Sequence, residues 1–187
     1  VGEDQKQHLV LTRDIAQKFN LDFNVPGFFK VPDPLIQKNF ARIMSLKDGT
    51  NKMSKSDPSD LSRINLTDSK DEIVNKIRKA KTDTQPLPHN EKDLTNRPEA
   101  ENLLGIYSSL SNQSLQNSIN EFSGKNFSEF KKNLTELVVE KITPISNEIN
   151  KLQKDNNFID NILKTGGEKA EAIASKKVHE MKKIIGF

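Results

Sequence analysis

The chain has 187 residues, 33% of them hydrophobic, with a mean hydropathy of -0.70 and a formal net charge of +3, so it has the size of one compact domain or of one small domain with part of another. Cysteine is absent and the three histidines, His8, His89 and His179, are far apart, which excludes disulfides and thiolate metal sites and argues against a zinc centre. No apolar run approaches the roughly 18 residues of a membrane span, and neither half is charge-segregated: ten basic and eight acidic residues up to Leu66, nineteen and eighteen beyond it.

In chain order, residues 4–20 predict an amphipathic helix with Asp4 as N-cap and Leu9, Thr12, Ile15, Ala16 and Phe19 on its apolar face. The stretch FFKVPDP, residues 28–34, reads as a strand running into a loop, since Phe28, Phe29 and Val31 favour extended backbone and the residues before Pro32 and Pro34 are steered away from helix. Residues 41–60 have no sustained period and form a long loop, and Ser62 to Leu66 alternate like a short strand. Ser69 with Glu72 makes a capping box for a helix carrying Ile73, Val74, Ile77 and Ala80 and fraying near Thr82.

A polar, proline-rich loop follows, and Pro98 opens the next helix. Further helices are expected at Leu115 to Phe122, stopped by Gly124, and at Phe127 to Ile142, with Phe130, Leu134, Leu137 and Val138 inward. Another is expected from Pro144, one from Phe158 to Leu163 ended by Gly166 and Gly167, and a last one from Glu168 through Ile185. Short connections between helices of this length imply an antiparallel bundle. The pattern is α/β plus all-α, with a boundary at Leu66.

The loop contains the pentapeptide Lys52-Met53-Ser54-Lys55-Ser56. Its composition suits an ordinary solvated loop. It also suits phosphate binding, because an ammonium on a long stem follows a phosphate as it moves, while small neighbours leave backbone and hydroxyl donors free to approach. Such a loop stabilises charge on a leaving pyrophosphate.

The pentapeptide matches the signature of class I aminoacyl-tRNA synthetases at all five positions. Together with VGEDQKQHLVLTRDIAQKFN, ARIMSLKDGTNKMSKSDPSD, TDSKDEIVNKIRKAKTD, NLLGIYSSLS and GGEKAEAIASKKVHEMKKIIGF, it gives the chain a resemblance, from first residue to last, to the tryptophanyl-tRNA synthetases of bacteria and organelles. The tyrosyl enzymes share the architecture, and GEDQKQH and ARIMSLKD resemble the tryptophanyl form more closely.

The resemblance implies the distal part of a Rossmann-like catalytic domain over residues 1–66 and an α-helical tRNA anticodon-binding domain over 67–187. It implies ATP contacts from Gly2, Glu3, Asp4, Ile43, Lys52, Met53, Ser54, Lys55 and Ser56, with Gln5 bordering the amino-acid site. Lys52 and Lys55 would be the catalytic pair, with Lys55 foremost and neither a nucleophile. Core packing is the competing role for Ile43, and plain capping a compatible one for Asp4. The implied reaction joins L-tryptophan to ATP, with Mg2+ on the phosphates and no protein-bound metal, and transfers the aminoacyl group to tRNA(Trp) in a cytoplasmic or organellar homodimer that involves no membrane. Lys176, Lys177, Lys182 and Lys183 are candidates for tRNA phosphate contacts, or simply a solvated face. The family's N-terminal half, with its HIGH-type sequence and most of the tryptophan pocket, is not in this chain, so the segment alone is expected to form the adenylate poorly. A tyrosine-specific synthetase and a helical RNA-binding module without catalysis are the alternatives.

Overall fold

The computed structural model describes residues 5–36 and 42–187, and divides into two compact units: Val1–Ala41 with Lys151–Phe187, and Arg42–Asn150. The described residues are mostly helical: α1 (Lys6–Asp22), α2 (Lys70–Lys79), α3 (Pro98–Ser111), α4 (Leu115–Phe122), α5 (Phe127–Leu152) and α6 (Asn156–Ile185). Short 3₁₀ turns lie at Asp60–Ser62 and Glu91–Leu94.

In the first unit α1 begins one residue later than the capping pattern predicts, with Gln5 as N-cap and no side-chain bond there. Asp4 lies outside the described residues. Ala16 is buried and Leu9 and Phe19 are half-buried, but Thr12 and Ile15, expected on the inner face, are exposed.

The strand expected at residues 28–34 does not form. Val25 to Phe28 instead make a turn, closed by Phe28 N–H to the Val25 carbonyl at 3.1 Å, with Pro26 and then Gly27 at φ +77° in the positions that suit each residue. The turn folds Phe28 and Phe29 back onto Phe19, at ring separations of 5.5 and 4.9 Å. The Asn20 amide then occupies the Phe29 backbone as a neighbouring strand would, donating to its carbonyl at 2.8 Å and accepting its N–H at 2.9 Å. With backbone groups satisfied by a side chain, no ladder is needed.

Helix α6 runs unbroken through Gly166 and Gly167, where the sequence predicts a stop. Each glycine costs a helix about 1 kcal/mol relative to alanine, which is too little to end one 30 residues long. None of its side chains is fully buried.

In the second unit the helix starts at Ser69, Pro98 and Ser114 follow local signals. Ser69 and Glu72 form the reciprocal capping box at the start of α2. Pro98 occupies the first turn of α3, and the Ser114 hydroxyl caps α4 by accepting from Asn117 N–H. Ile73, Ile77, Leu103, Leu104, Ile119, Phe122, Phe130, Leu134 and Val138 form one core with Leu46, which comes from the loop region. Tyr107, Phe122 and Phe130 meet edge to face within it, Tyr107–Phe122 at 4.8 Å and Phe122–Phe130 at 4.9 Å. Leu137 is only partly buried.

Pro144 does not start a helix but lies inside α5, flanked by buried Val138 and Ser146. An interior proline costs about 3 kcal/mol, and an amphipathic face packed along its length outweighs that. The expected strand at residues 62–66 is also absent, because Ser62 ends a 3₁₀ turn and Arg63 is drawn into polar contacts. Among the described residues the only β pairing is an isolated antiparallel bridge between Met44 and Lys52.

Candidate phosphate loop

The loop predicted from residue 41 onward is a tight hairpin-like turn in its first half. Besides the Met44–Lys52 bridge, Ser45 N–H donates to the Asn51 carbonyl at 2.8 Å and Met53 N–H to the Ile43 carbonyl at 3.0 Å. At its tip Asp48 accepts from Thr50 N–H (3.0 Å), Thr50 Oγ1 (2.7 Å) and Asn51 Nδ2 (2.6 Å). The Thr50 hydroxyl and amide, foremost among these, hold the Asp48 carboxyl below its ordinary range.

Three contacts fix the turn on the helices. The buried Asn102 amide of α3 accepts Met44 N–H at 2.9 Å and donates to the Met44 carbonyl at 2.8 Å, so it stands in for a strand. The Leu46 carbonyl accepts Lys81 N–H at 2.7 Å. Gly49 is buried so closely against the start of α3 that a Cβ would fall 2.6 Å from Glu99 N and from Pro98 C. Glu99 in turn pairs with Lys81 at 2.7 Å, which is the main reason its carboxyl is held down and the Lys81 ammonium raised.

The pentapeptide leaves this rigid base. Lys52, Lys55 and Ser56 are exposed, and Met53 and Ser54 are half-buried. Ser54 Oγ and Ser56 Oγ share a hydrogen bond at 2.8 Å, and Ser56 N–H donates to Ser54 Oγ at 3.2 Å. Asp57 N–H returns to the Ser54 carbonyl at 3.4 Å, closing a turn with Lys55 at its outer corner. Met53 and Ile43, the latter 45% exposed, line a small apolar cavity of about 170 Å³ with Ile64, Ile106, Leu110 and Ile142. An apolar side chain half open to solvent beside two lysines and paired hydroxyls is suited to a flat aromatic ring that carries phosphates.

The structure therefore brings Ile43 and Lys52–Ser56 together. Gln5 is exposed at the start of α1 in the other unit, and Gly2, Glu3 and Asp4 lie outside the described residues. Of the four candidate lysines on α6, Lys176, Lys182 and Lys183 are exposed. Lys177 is occupied within its own unit, donating to the Phe28 carbonyl at 3.2 Å with its ammonium 3.9 Å from the centre of the Phe28 ring. His89 pairs its Nδ1 with the Ser123 hydroxyl. Among the described residues no group of three or more His, Cys, Asp or Glu is placed to hold a metal ion, and no helix is long and apolar enough to cross a membrane.

Two buried polar groups escaped the sequence reading, although each left a signal. Asn102 is a polar residue on the apolar face that buries Leu103 and Ile106, and Lys76 sits between Ile73 and Ile77 on the stripe that enters the core.

Comparison with known proteins bears on the same residues. The curated tryptophan–tRNA ligase of Caulobacter vibrioides is 54% identical over all 187 residues, which correspond to 54% of its own length. That of Rickettsia typhi is 49% identical, with 100% of this chain and 56% of the relative covered. The chain thus spans about half the length of the curated relatives it matches. Among solved structures, tryptophanyl-tRNA synthetase from Mycoplasma pneumoniae superposes with a TM-score of 0.83 at 32% identity, over 100% of this chain and 55% of that one. The Campylobacter jejuni enzyme, complexed with ADP and tryptophan, gives 0.68 at 27% identity, over 100% and 56%. The model of the tRNA synthetases class I (W and Y) matches residues 1–144, and the chain belongs to that family.

Proposed function

We propose that these residues serve a tryptophan–tRNA ligase, which activates L-tryptophan with ATP and passes it to tRNA(Trp). The observation that carries the reading is the Lys52–Ser56 turn, seated on a base held by Asn102 and Gly49 and open outward at Lys55. Sequence identity of about half to ligases of that specificity, along the whole chain, supports it.

In the activation step the tryptophan carboxylate attacks the α-phosphorus of ATP, a P–O bond forms, and the bond to pyrophosphate breaks. Charge accumulates on the departing oxygens. Lys55 Nζ would neutralise it as it develops, and Lys52 and the Ser54 and Ser56 hydroxyls would hold the β- and γ-phosphates. Mg2+ arrives with ATP as its counterion. No side chain forms a bond with substrate, so the loop's contribution is placement and charge. In the second step a terminal ribose hydroxyl of the tRNA takes the aminoacyl group and AMP leaves.

Gly2, Glu3 and Asp4 are proposed for the ribose, Ile43 for adenine and Gln5 for the edge of the amino-acid site. Residues 1–66 are proposed as the distal part of a Rossmann-like catalytic domain and 67–187 as the α-helical tRNA anticodon-binding domain, in a cytoplasmic homodimer. The packing of residues 42–66 on α2 and α3 supports a mechanical link between those two parts.

The test is ATP/pyrophosphate exchange by a full-length ligase carrying these residues, with tryptophan and tyrosine compared. Tryptophan-dependent exchange that falls by about 10²–10³-fold in Lys55→Ala, the usual loss when one transition-state donor is removed, is expected. Exchange with tyrosine alone, with neither amino acid, or undiminished in the variant overturns the reading.

A further inference from the structure

Lys76 is a charged residue in the core of the second unit, and the proposed chemistry gives it nothing to do. It stands in the middle of α2 with Ile73 and Ile77 fully buried beside it, and its own side chain is 3% exposed. An ammonium taken out of water needs a counter-charge, and buried Asp68 supplies one at 2.6 Å. That pair alone is neutral, and Asn65 satisfies both Asp68 oxygens through its backbone N–H (2.8 Å) and its Nδ2 (3.1 Å).

The ammonium nevertheless makes a second ion pair, 2.7 Å long, with Asp60, whose side chain is 55% exposed. The other Asp60 oxygen takes Arg63 Nη2 at 3.0 Å and Asn65 Nδ2 at 3.2 Å. Arg63 reaches on, donating through Nη1 to the carbonyls of Asp57 at 3.0 Å and Ser59 at 3.4 Å. Asp57 is the residue whose N–H closes the Ser54–Asp57 turn. Two cations and two carboxylates thus form a balanced path from the helix core to the segment that presents Lys55.

The near limb of the loop is held by the Met44–Lys52 bridge and by Asn102. The far limb, residues 54–62, meets the near limb by backbone at its end, where Leu46 N–H donates to the Ser62 carbonyl at 2.8 Å, seven residues beyond Lys55. A buried lysine that only had to be neutralised would stop at Asp68, whereas this one extends to the limb whose backbone bond to the base, at Ser62, lies at the end far from Lys55. We propose that Lys76 is a positioning residue for the phosphate loop, acting through Asp60 and Arg63 to fix where the far limb holds Lys55. This inference rests on the ligase reading for its catalytic consequence and on the ion-pair geometry for its mechanical one.

Asp60→Asn is the informative variant, because it cuts the path at an exposed side chain and leaves Lys76 paired with Asp68. In a full-length ligase carrying these residues, kcat for tryptophan-dependent exchange should fall by about tenfold, while the tryptophan KM stays within about twofold and the melting temperature is unchanged. Asp60→Glu should recover part of the loss. Amide hydrogen exchange at residues 54–57 should quicken in Asp60→Asn and not in Asp68→Asn, which instead lowers the melting temperature.

Wild-type kcat together with unchanged exchange at 54–57 in Asp60→Asn overturns the proposal. If the parent enzyme shows no tryptophan-dependent activity, the ligase reading fails. The tether is then decided by the hydrogen exchange alone, with faster exchange supporting it and unchanged exchange refuting it.

Discussion

Replacing Gly49 by alanine isolates the seating of the proposed phosphate loop. The backbone there does not require glycine, since its φ lies outside the left-handed region, and at an open site the added methyl would stabilise by about 0.4–1 kcal/mol through the unfolded chain. At Gly49 the methyl runs into the Pro98–Glu99 peptide group, 2.6 Å from both its C and its N. Ordinary contact would require the turn to retreat by about 0.8 Å, and the first turn of α3 cannot yield because Pro98 and the Glu99–Lys81 pair hold it. Overpacking of this kind costs about 1–3 kcal/mol, so the net effect is a loss of roughly 1–2 kcal/mol, seen as a drop of about 2–8 °C in melting temperature. The same substitution at Gly166, where nothing lies within 4 Å, should instead stabilise α6 by up to about 1 kcal/mol. Thermal melts of the two variants followed by circular dichroism make the comparison, and under the proposed function Gly49→Ala in a full-length ligase carrying these residues should also raise the KM for ATP. A neutral or stabilising Gly49→Ala would refute the close seating of the turn on α3.

Two further predictions concern pH. Tyr107 is the only tyrosine and the chain has no tryptophan; burial first, then its hydrogen bond to Glu121, push its phenol up to about 12. Native protein at pH 10.5 should therefore show almost no tyrosinate absorbance near 295 nm, against roughly three-quarters ionisation after unfolding in urea, and equal absorbance would contradict the packing. The raised value also means that this phenol's contribution to stability is complete below about pH 10 and is lost as pH rises through its folded value. For Asp83 burial is the largest influence and works upward, but the two-pronged ion pair with Arg97 prevails and holds the carboxyl below its ordinary range. The unfolded chain then binds this proton more readily, so the contribution is present above about pH 4 and fades as pH falls through the lower folded value. Urea midpoints at pH 6 and pH 3.5 should differ less in Asp83→Asn than in the parent, and an equal difference would show that the pair carries no acid sensitivity.

Much of the helical unit was legible because its signals are local. Ser69 with Glu72, Pro98, and the apolar spacing from Leu115 to Phe122 each act within one or two turns, where the chain's own geometry decides the outcome. The pentapeptide was equally plain as a motif, since its five residues stand in a row, and its part in phosphate binding is a proposal. The errors fell where a local preference met a larger sum. Gly166, Gly167 and Pro144 each disfavour a helix by one to a few kcal/mol, and the long helices that contain them absorb the cost.

The sequence by itself determined which residues are chemically able to hold a phosphate and where most helices begin. It had no means of specifying what takes the place of a strand at Met44 or Phe29, because Asn102 lies 58 residues from the backbone it pairs with and the Asn20 amide meets Phe29 only once the intervening turn has closed. Tertiary structure alone decided that Gly49 rests against α3 and that Lys76 reaches Asp60. A buried charge or a missing methyl acquires its meaning from atoms distant in the chain, since desolvation and close contact depend on what surrounds a group and not on its neighbours in sequence.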